Sequence, residues 1–286
     1  MPVRAELTPR GPYSLRLSGR LQSDATRVVV DGTYRGTFRN GDVLERVHAA
    51  QRADGTIVVA ADSEAGVEHV RWTLGLDDDH SEFVRRFASD PMLGETLRRI
   101  RGLRPMRTGT VAQSLLRAVA GQLIQAKLAR QVEQRVIRAS TPKLGDLHAA
   151  PTCAELARYS PPQLERLGLG ARRGAALVRL CRALELERLK AQPTAAVEAR
   201  LTRERGLGPW SVGVICLSGL GRYEVGLKRD LGLAKLAGEL WGRRVEAEEA
   251  DVLLAPYEEW AGLASVYLLA GYHAGFVPLA DGRLAA

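Results

Sequence analysis

Two glycines separated by one residue, Gly206-Leu207-Gly208, lie between two segments that both favour helix. Upstream, residues 195–203 carry apolar side chains at helical spacing. Downstream, Pro209 suits the first position of a new helix, where its missing N–H is not needed. The pattern predicts a helix, a tight turn and a second helix, with backbone N–H groups that a phosphate can approach without meeting a Cβ atom. The same residues are also compatible with a turn that only ends one helix and starts the next.

The positive charge of the chain is concentrated in the part that contains this turn. The 286 residues include 41 Lys and Arg against 33 Asp and Glu, a formal net charge of +8. Residues 1–88 hold 12 basic and 13 acidic side chains, a net charge of −1, whereas residues 89–286 hold 29 and 20, a net charge of +9. Such an excess favours binding to a polyanion. Arginine-rich proteins without a nucleic-acid partner show it too, so the charge alone does not decide.

Length and composition indicate a globular protein with a sizeable core, because 45% of the residues are hydrophobic. No apolar run is long enough for a membrane helix, and the first ten residues lack the apolar centre of a signal peptide. Cys153, Cys181 and Cys216 are far apart, which is typical of free thiols in a reducing compartment. We therefore expect a cytoplasmic protein that makes no membrane contact. We also expect it to be a monomer.

The N-terminal third predicts a small antiparallel sheet. Asp31-Gly32 is a two-residue hairpin turn between β-branched runs, and Asn40-Gly41 is a second turn. We predict that helices over Gly41–Gln51 and Glu64–Leu74 cover one face of this sheet.

The remainder predicts helices. Asp90-Pro91 and Ser160-Pro161 pair a capping residue with proline at the first helical position. Long helices are expected over residues 230–241 and 257–272. The predicted fold is therefore α+β: an N-terminal β-rich domain with helices over residues 1–88, followed by an all-helical domain over residues 89–286.

Three spaced motifs resemble those of one enzyme superfamily. They are Ala118-Val119-Ala120-Gly121-Gln122-Leu123-Ile124, Gly206-Leu207-Gly208-Pro209-Trp210 and Arg229-Asp230-Leu231-Gly232-Leu233. Over residues 93–278 the chain resembles the helix-hairpin-helix DNA glycosylases, and among them the alkylpurine glycosylases of the AlkA type, DNA-3-methyladenine glycosylase II. The resemblance implies an N-terminal β-rich domain and two helical lobes flanking an active cleft. It also implies a hydrolase that flips damaged purines out of double-stranded DNA and excises them in base excision repair.

Asp230 matches the essential aspartate of these enzymes. Cleavage of an N-glycosidic bond leaves an oxocarbenium-like sugar, which a fixed carboxylate stabilises while it orients or deprotonates the attacking water. Asp230 also precedes a helical segment, where aspartate is a favoured N-cap. The two roles are compatible, because a capping side chain projects from the helix end.

Trp210 bears on the type of glycosylase. In bifunctional members this position is a lysine that forms a Schiff base and permits strand cleavage. With tryptophan here, we expect water to be the nucleophile and an intact abasic strand to be the product. Lys228 is the other amine near Asp230 in sequence, and we expect it to be solvated or to contact phosphate.

The resemblance also implies a wedge and a base pocket. Leu123, after Gln122, matches the position that fills the gap left by the flipped base. The apolar stripe of its helix is equally typical of a core leucine. Trp210 and Tyr272 match pocket positions, although an aromatic at the end of an apolar helix is usually core. Val214 stands where the AlkA type has a pocket tyrosine.

The hairpin residues expected to contact DNA are Arg205, Gly206, Leu207, Gly208 and Ser211, with further phosphate contacts from Lys228 and Arg229. We expect no cofactor except a structural sodium or potassium ion between the main-chain carbonyls of Gly206 and Gly208 and a DNA phosphate, as the resemblance implies. The five histidines have no metal-ligand spacing.

Several positions depart from the family pattern. Glu204-Arg205 replaces the usual leucine-proline, a pocket tryptophan becomes Tyr272, and Arg229 replaces a second acid. Arg229 can strengthen phosphate binding or perturb Asp230. Fewer pocket aromatics favour lesions such as hypoxanthine over cationic alkylpurines. The alternatives are a non-enzymatic protein that binds damaged DNA and a glycosylase with lyase activity.

Overall fold

The computed structural model describes residues 2–278, and its N-terminal part is built on one antiparallel sheet. The strands are Val3–Leu7 (β1), Arg27–Val30 (β2), Thr33–Asn40 (β3), Val43–Gln51 (β4) and Ile57–Ala61 (β5). They pair in the order β1-β5-β4-β3-β2. The predicted turn at Asp31-Gly32 is confirmed: both residues have positive φ, 48° and 77°, and Val30 pairs with Thr33.

The helix predicted over Gly41–Gln51 is wrong, because this segment forms β4. Glu45, Val47 and Ala49 face the core while the residues between them face outward, a period of two. Gly41 adopts φ +59°, and Asn40 pairs with Val43 across the turn. The turn thus folds β4 back onto β3, and sheet pairing overrides the local helix preference.

The predicted helix at Glu64–Leu74 is confirmed as Glu64–Thr73 (α2). The Oγ atom of Ser63 caps it by accepting a hydrogen bond from the Gly66 N–H. Val67 and Val70 of α2 share a core with Val47 and Val59 of the sheet, to which the short helix Leu15–Ser18 (α1) also contributes.

The chain from Ser81 onwards is mainly helical within the described residues. Its α-helices are Ser81–Arg86 (α3), Gly94–Arg99 (α4), Val111–Gly121 (α5), Ala126–Ser140 (α6), Cys153–Ala157 (α7), Pro161–Arg166 (α8), Ala171–Ala183 (α9), Thr194–Thr202 (α10), Pro209–Val214 (α11), Leu231–Trp241 (α12) and Ala261–His273 (α13). Segments Leu186–Ala191 and Glu249–Trp260 are 3₁₀-helical, and Ile215–Gly219 forms a π turn. One exception to the predicted all-helical domain is a hairpin of Lys143–Leu144 (β6) and Leu147–His148 (β7), which turns at Gly145 and packs against β3 and β4.

Two helix starts differ from the prediction. Asp90 does cap a turn, since its carboxylate accepts hydrogen bonds from the N–H groups of Met92 and Leu93, but the regular helix begins only at Gly94. The helix predicted over residues 257–272 begins at Ala261, because Glu258 has a φ of +45° that an α-helix excludes.

The helical part contains two apolar cores. The first is formed mainly by α5 to α11, and the second by α3, α4, α12 and α13. Phe83 and Phe87 belong to the second core, although they precede residue 89. The chain passes from the first core to the second shortly before α12, so Asp230 lies at the junction of the two lobes.

No helix within residues 2–278 has the length and apolar character needed to cross a bilayer. The three cysteines are free thiols; Cys181 and Cys216 are buried, and burial raises the pKa of Cys216 to about 12.

Candidate active site

The predicted helix, turn and helix are α10, the Gly206-Leu207-Gly208 turn and α11. Gly206 has a φ of +93°, a conformation that favours glycine, and a Cβ there would lie 3.1 Å from the Cβ of Ala176. Leu207 is buried in the first helical core and anchors the turn. The turn is thus fixed by packing from inside the protein.

The reasons that require a glycine at position 206 do not apply at position 208. Its φ of −86° and ψ of 173° are open to any residue, and a Cβ built on it would meet no atom within 4 Å. Neither backbone strain nor packing in the described structure therefore demands a glycine at position 208. A close approach from outside the protein would demand one.

The unusual Glu204-Arg205 pair is held by two arginines on neighbouring helices. The carboxylate of Glu204 forms ion pairs with Arg179 at 3.2 Å and Arg200 at 3.3 Å. Arg179 also donates a hydrogen bond to the carbonyl of Arg205, whose residue is exposed. These contacts fix the start of the turn to α9 and α10.

Asp230 is the N-cap of α12, and both of its carboxylate oxygens accept hydrogen bonds. Oδ1 accepts from the N–H groups of Gly232 at 2.7 Å and Leu233 at 3.1 Å. Oδ2 accepts from the indole Nε1–H of Trp210 at 2.7 Å. The capping role considered from the sequence is therefore present, and Asp230 as a residue is partly exposed. A carboxylate held at both oxygens has a fixed orientation.

Trp210 connects Asp230 to the hairpin and to α5. It is the second residue of α11, and its ring packs on Gly121, where an added Cβ would lie 2.6 Å from Cη2. Sequence reasoning did not foresee the bond from Trp210 to Asp230, because a spacing of twenty residues carries no information on contact. The structure thus brings all three sequence motifs together.

Gln122 joins the end of α5 to the hairpin. Its Nε2 donates hydrogen bonds to the carbonyl of Gly206 at 2.8 Å and to Oγ of Ser211 at 3.1 Å. The guanidinium of Arg173 donates to the carbonyl of Gln122 at 3.4 Å. Ser211 is buried, so its hydroxyl supports the loop from inside and does not face solvent.

Leu123 projects from the loop that Gln122 holds. It is 87% exposed and has a φ of +56°, which is rare for a bulky residue. The interpretation of Leu123 as a core leucine is therefore wrong: α5 ends at Gly121, so the apolar stripe does not continue through this residue. An apolar side chain thus projects into solvent from a strained stretch of backbone.

Tyr272 and Val214 lie in different cores. Tyr272 is buried on α13, and its hydroxyl donates a hydrogen bond to the carboxylate of Glu239. The ammonium group of Lys235 lies 5.5 Å from the centre of the Tyr272 ring. Val214 is partly buried against the first core. Nothing in the sequence singled out Lys235 or Glu239, because ordinary exposed side chains at helix positions give no signal.

The two basic residues beside Asp230 form exposed ion pairs. Lys228 lies 3.8 Å from Glu198, and Arg229 lies 3.3 Å from Glu248. Arg229 has a φ of +60°, and its N–H donates to the carboxylate of Asp251 at 2.6 Å. Exposed pairs of this kind contribute little to stability.

The main-chain carbonyls proposed for a cation are already hydrogen-bonded. That of Gly206 accepts from Gln122, and that of Gly208 accepts from the N–H of Val212 at 3.0 Å. A carbonyl oxygen has two lone pairs, so each retains one that can face a cation. No cluster of three or more His, Cys, Asp or Glu side chains suited to a metal ion is present in the described part of the chain.

Comparison with known proteins supports the resemblance. No protein-family model matches the chain. It is 27% identical to a Mycobacterium tuberculosis protein named probable bifunctional transcriptional activator/DNA repair enzyme AlkA. The match covers 94% of this chain and 55% of that protein. The chain thus spans about half the length of the first curated relatives that it matches. It is 23% identical to the DNA-3-methyladenine glycosylase of Bacillus subtilis, over 71% of this chain and 70% of that protein.

Solved structures show the same fold. A 3-methyladenine DNA-glycosylase from Archaeoglobus fulgidus superposes with a TM-score of 0.81 at 21% identity, covering 95% of this chain and 98% of that one. The 8-oxoguanine glycosylase/lyase of Clostridium acetobutylicum, solved with double-stranded DNA, gives a TM-score of 0.74 at 18% identity, with 90% of each chain covered. The α+β fold and the resemblance to helix-hairpin-helix glycosylases are therefore confirmed. Since these two structures carry different names for their activities, the shared fold does not determine the lesion.

Proposed function

We propose that this protein is a monofunctional DNA glycosylase that hydrolytically excises damaged purines, alkylated or deaminated, from double-stranded DNA. The observation that carries the proposal is the Asp230 carboxylate, fixed by the α12 N-terminus and Trp210. The hydrogen bond from Trp210, on α11, links this carboxylate to the hairpin, whose second glycine faces open space.

Asp230 would act on the sugar of a flipped nucleotide. As the bond between C1′ and the base lengthens, positive charge develops on the sugar ring, and a fixed carboxylate stabilises it without reorganisation. The carboxylate also orients the water that attacks C1′ and accepts its proton. Trp210 keeps Oδ2 in place during these steps and lines the pocket.

The absence of a suitable amine supports hydrolysis without strand cleavage. Position 210, which carries the lysine of bifunctional enzymes, is tryptophan. The Tyr272 hydroxyl on α13 and the Glu239 carboxylate on α12 raise the pKa of Lys235, so its amine stays protonated and is a poor nucleophile. Lys228 lies 3.8 Å from Glu198 in an exposed pair, and we assign it to phosphate contact and not to the sugar. The product would be an intact abasic strand.

The hairpin would bind the DNA backbone. Its glycine turn, the exposed Arg205, Lys228 and Arg229 supply contacts to phosphate, and Leu123 would fill the space of the flipped base. A sodium or potassium ion at the hairpin would use the free lone pairs of the two glycine carbonyls. We further propose that the protein acts as a monomer, on the chromosome in the cytoplasm.

A lesion panel tests the proposal. End-labelled duplexes with 3-methyladenine, 7-methylguanine, hypoxanthine or uracil are incubated with the protein and analysed with and without alkali. Breaks that appear only after alkali support a monofunctional glycosylase, and direct nicking would support a lyase. Binding without base release would support a non-enzymatic protein.

Asp230→Asn separates catalysis from capping. Asparagine caps helices as well as aspartate does, so the fold and DNA binding should be retained. Base release under single turnover should fall by about a thousandfold or more, since the stabilising negative charge is lost. A variant that releases bases as fast as the parent would reduce Asp230 to a cap. Asp62→Asn, at an exposed carboxylate of the sheet domain, is the control.

A further inference from the structure

The carbonyls at the end of α5 are held by an arginine of a neighbouring helix. Arg173 is the third residue of α9 and is half-buried. Its Nη1 donates hydrogen bonds to the carbonyls of Ala120 at 3.2 Å and Gln122 at 3.4 Å. The last carbonyls of a helix have no partner within the helix, and a cationic donor also interacts favourably with the negative end of the helix dipole. Arg173 thus caps α5 from outside.

The carbonyl of Gln122 bears directly on the backbone of Leu123. This carbonyl belongs to the same planar peptide unit as the Leu123 N–H, so its orientation is linked to the ψ of Gln122 and the φ of Leu123. Leu123 has a φ of +56°, which a bulky residue keeps only where the surrounding structure holds it. The hydrogen bond from Arg173 therefore acts on the peptide unit that sets the direction of Leu123.

Two further contacts hold Gln122 from the side of the hairpin. Its Nε2 donates to the Gly206 carbonyl and to the Ser211 hydroxyl. Gln122 is thus tied to α9 through its main chain and to the hairpin through its side chain. Leu123 itself is 87% exposed, so packing contributes little to holding it. Its direction in the free protein depends on how the residue before it is held.

We propose, on the basis of the function proposed above, that Arg173 is a positioning residue for Leu123 and holds this wedge in its projecting conformation before DNA binds. A wedge that is ordered in advance loses little conformational freedom when it enters the duplex, which lowers the cost of flipping the damaged nucleotide. Without the guanidinium, the peptide unit can rotate, and Leu123 can return to an unstrained backbone in which its side chain points elsewhere.

Arg173→Met tests this inference, because methionine keeps an apolar stem and removes the donors. Base release is measured under single turnover at saturating protein, on the duplex lesion that the parent releases fastest. The variant should be about fivefold slower or more, which corresponds to about 1 kcal/mol or more. Arg182→Met is the matched control: Arg182, near the other end of α9, donates to the Ala157 carbonyl at 3.0 Å, and its loss should leave the rate unchanged.

A double variant separates positioning from a direct contact with DNA. If Arg173 acts through Leu123, adding Arg173→Met to Leu123→Ala should not slow base release further, and the two rates should agree within about twofold. Independent effects that multiply would overturn the inference and assign Arg173 to phosphate contact. An Arg173→Met rate within about twofold of the parent would overturn it as well, because the hydrogen bonds would then serve only the fold.

Insertion of the wedge can also be measured without base release. A duplex with a stable abasic analogue opposite 2-aminopurine becomes more fluorescent when a side chain inserted into the helix unstacks the purine. The increase should be about half that of the parent or less in Arg173→Met and in Leu123→Ala, and unchanged in Arg182→Met. No increase with the parent, or an equal increase in all variants, would overturn the inference.

The two measurements distinguish this inference from the proposed function. If the parent releases no base from any duplex, the proposed function fails, and the fluorescence of the abasic duplex still decides whether Arg173 positions Leu123. Melting temperatures establish that the variants are folded. Should Arg173→Met not fold, Arg173→Gln, which is uncharged and shorter than arginine, takes its place under the same criteria.

Discussion

At the scale of single residues, two leucines have the same unusual combination of strain and exposure. Leu21 has a φ of +61° and is 69% exposed, and Leu123 has a φ of +56° and is 87% exposed. Left-handed backbone costs a bulky residue about 1 kcal/mol or more and brings no burial in either place. They differ in position, because Leu123 follows Gln122, which is tied to the hairpin, whereas Leu21 lies in the sheet domain.

We predict that Leu123→Ala lowers base release from duplex DNA about tenfold or more while leaving the melting temperature unchanged. No buried surface is lost, but the flipped nucleotide loses the side chain that fills its place. Single-turnover kinetics and thermal unfolding of Leu123→Ala and Leu21→Ala provide the measurement. Equal rates for the two variants would show that Leu123 is an ordinary exposed leucine.

The exposure of Leu123 shows what residue patterns can predict. Its spacing from Leu116 and Val119 fits an apolar stripe, and the residues alone favoured the core. Only the resemblance suggested a wedge, since the decisive fact is that α5 ends at Gly121. The two sets of contacts made by Asp230 were not equally predictable. Its capping role follows from the residues that come next in the sequence, whereas its contact with Trp210 depends on how the two lobes pack.

At the scale of elements, the hairpin contains two glycines with different physical reasons to be glycine. Gly206 is required by a positive φ and by Ala176, whereas Gly208 has ordinary backbone angles and open space around its Cα. Local sequence predicted the turn but could not separate these two cases, because they differ only in dihedral angles and neighbours.

We predict that alanine at position 206 lowers the stability of the fold, whereas alanine at position 208 weakens DNA binding. Gly206→Ala should lower the free energy of unfolding by about 1–2 kcal/mol, because alanine must adopt a left-handed conformation. Gly208→Ala should change it by less than about 1 kcal/mol, yet weaken binding to lesion-free duplex, because its Cβ blocks the approach of a phosphate. Urea unfolding and fluorescence anisotropy measure the two quantities. Unchanged DNA affinity in Gly208→Ala would mean that the turn is only a connection between helices.

Strand β4 shows why some elements were mispredicted. The residues of Val43–Gln51 are compatible with either a helix or a strand, and the choice is made by pairing with β3 and β5 on either side. In contrast, α2, α8 and the β2–β3 hairpin were predicted correctly because a cap or a two-residue turn specifies each of them locally.

At the scale of the whole molecule, buried polar groups lie where the sheet domain meets the helical lobes. Arg107 forms a two-pronged hydrogen bond with Asp78, at 2.6 and 2.7 Å, and its guanidinium lies 3.9 Å from the centre of the Trp72 ring. Tyr223, which packs against the second helical core, donates to the same carboxylate at 2.5 Å. His80 is buried beside this group, with its ring edge-on to Tyr223 at 4.6 Å.

His80 makes the stability of this junction depend on pH. Burial, with a smaller effect of the Arg104 guanidinium, lowers the pKa of His80 to about 4. The charged groups around it are Arg104, Asp78, Arg107 and Asp79. In the unfolded chain the pKa of a histidine is about 6.5. Between pH 6.5 and 4 the unfolded chain therefore binds a proton that the folded protein does not, and the free energy of unfolding falls as the pH decreases through this range.

We predict that the free energy of unfolding falls less in His80→Phe than in the parent when the pH is lowered from 7 to 4.5. The difference should be on the order of 2 kcal/mol. Phenylalanine retains the ring shape and cannot take up a proton, and neither ring nitrogen of His80 has a hydrogen-bond partner within residues 2–278 that the change would break. Urea unfolding at pH 7, 5.5 and 4.5 measures the effect against the parent, and His48→Gln, at an exposed histidine, is the matched control. If His80→Phe loses as much stability on acidification as the parent, His80 is protonated in the folded protein and the junction is open to water.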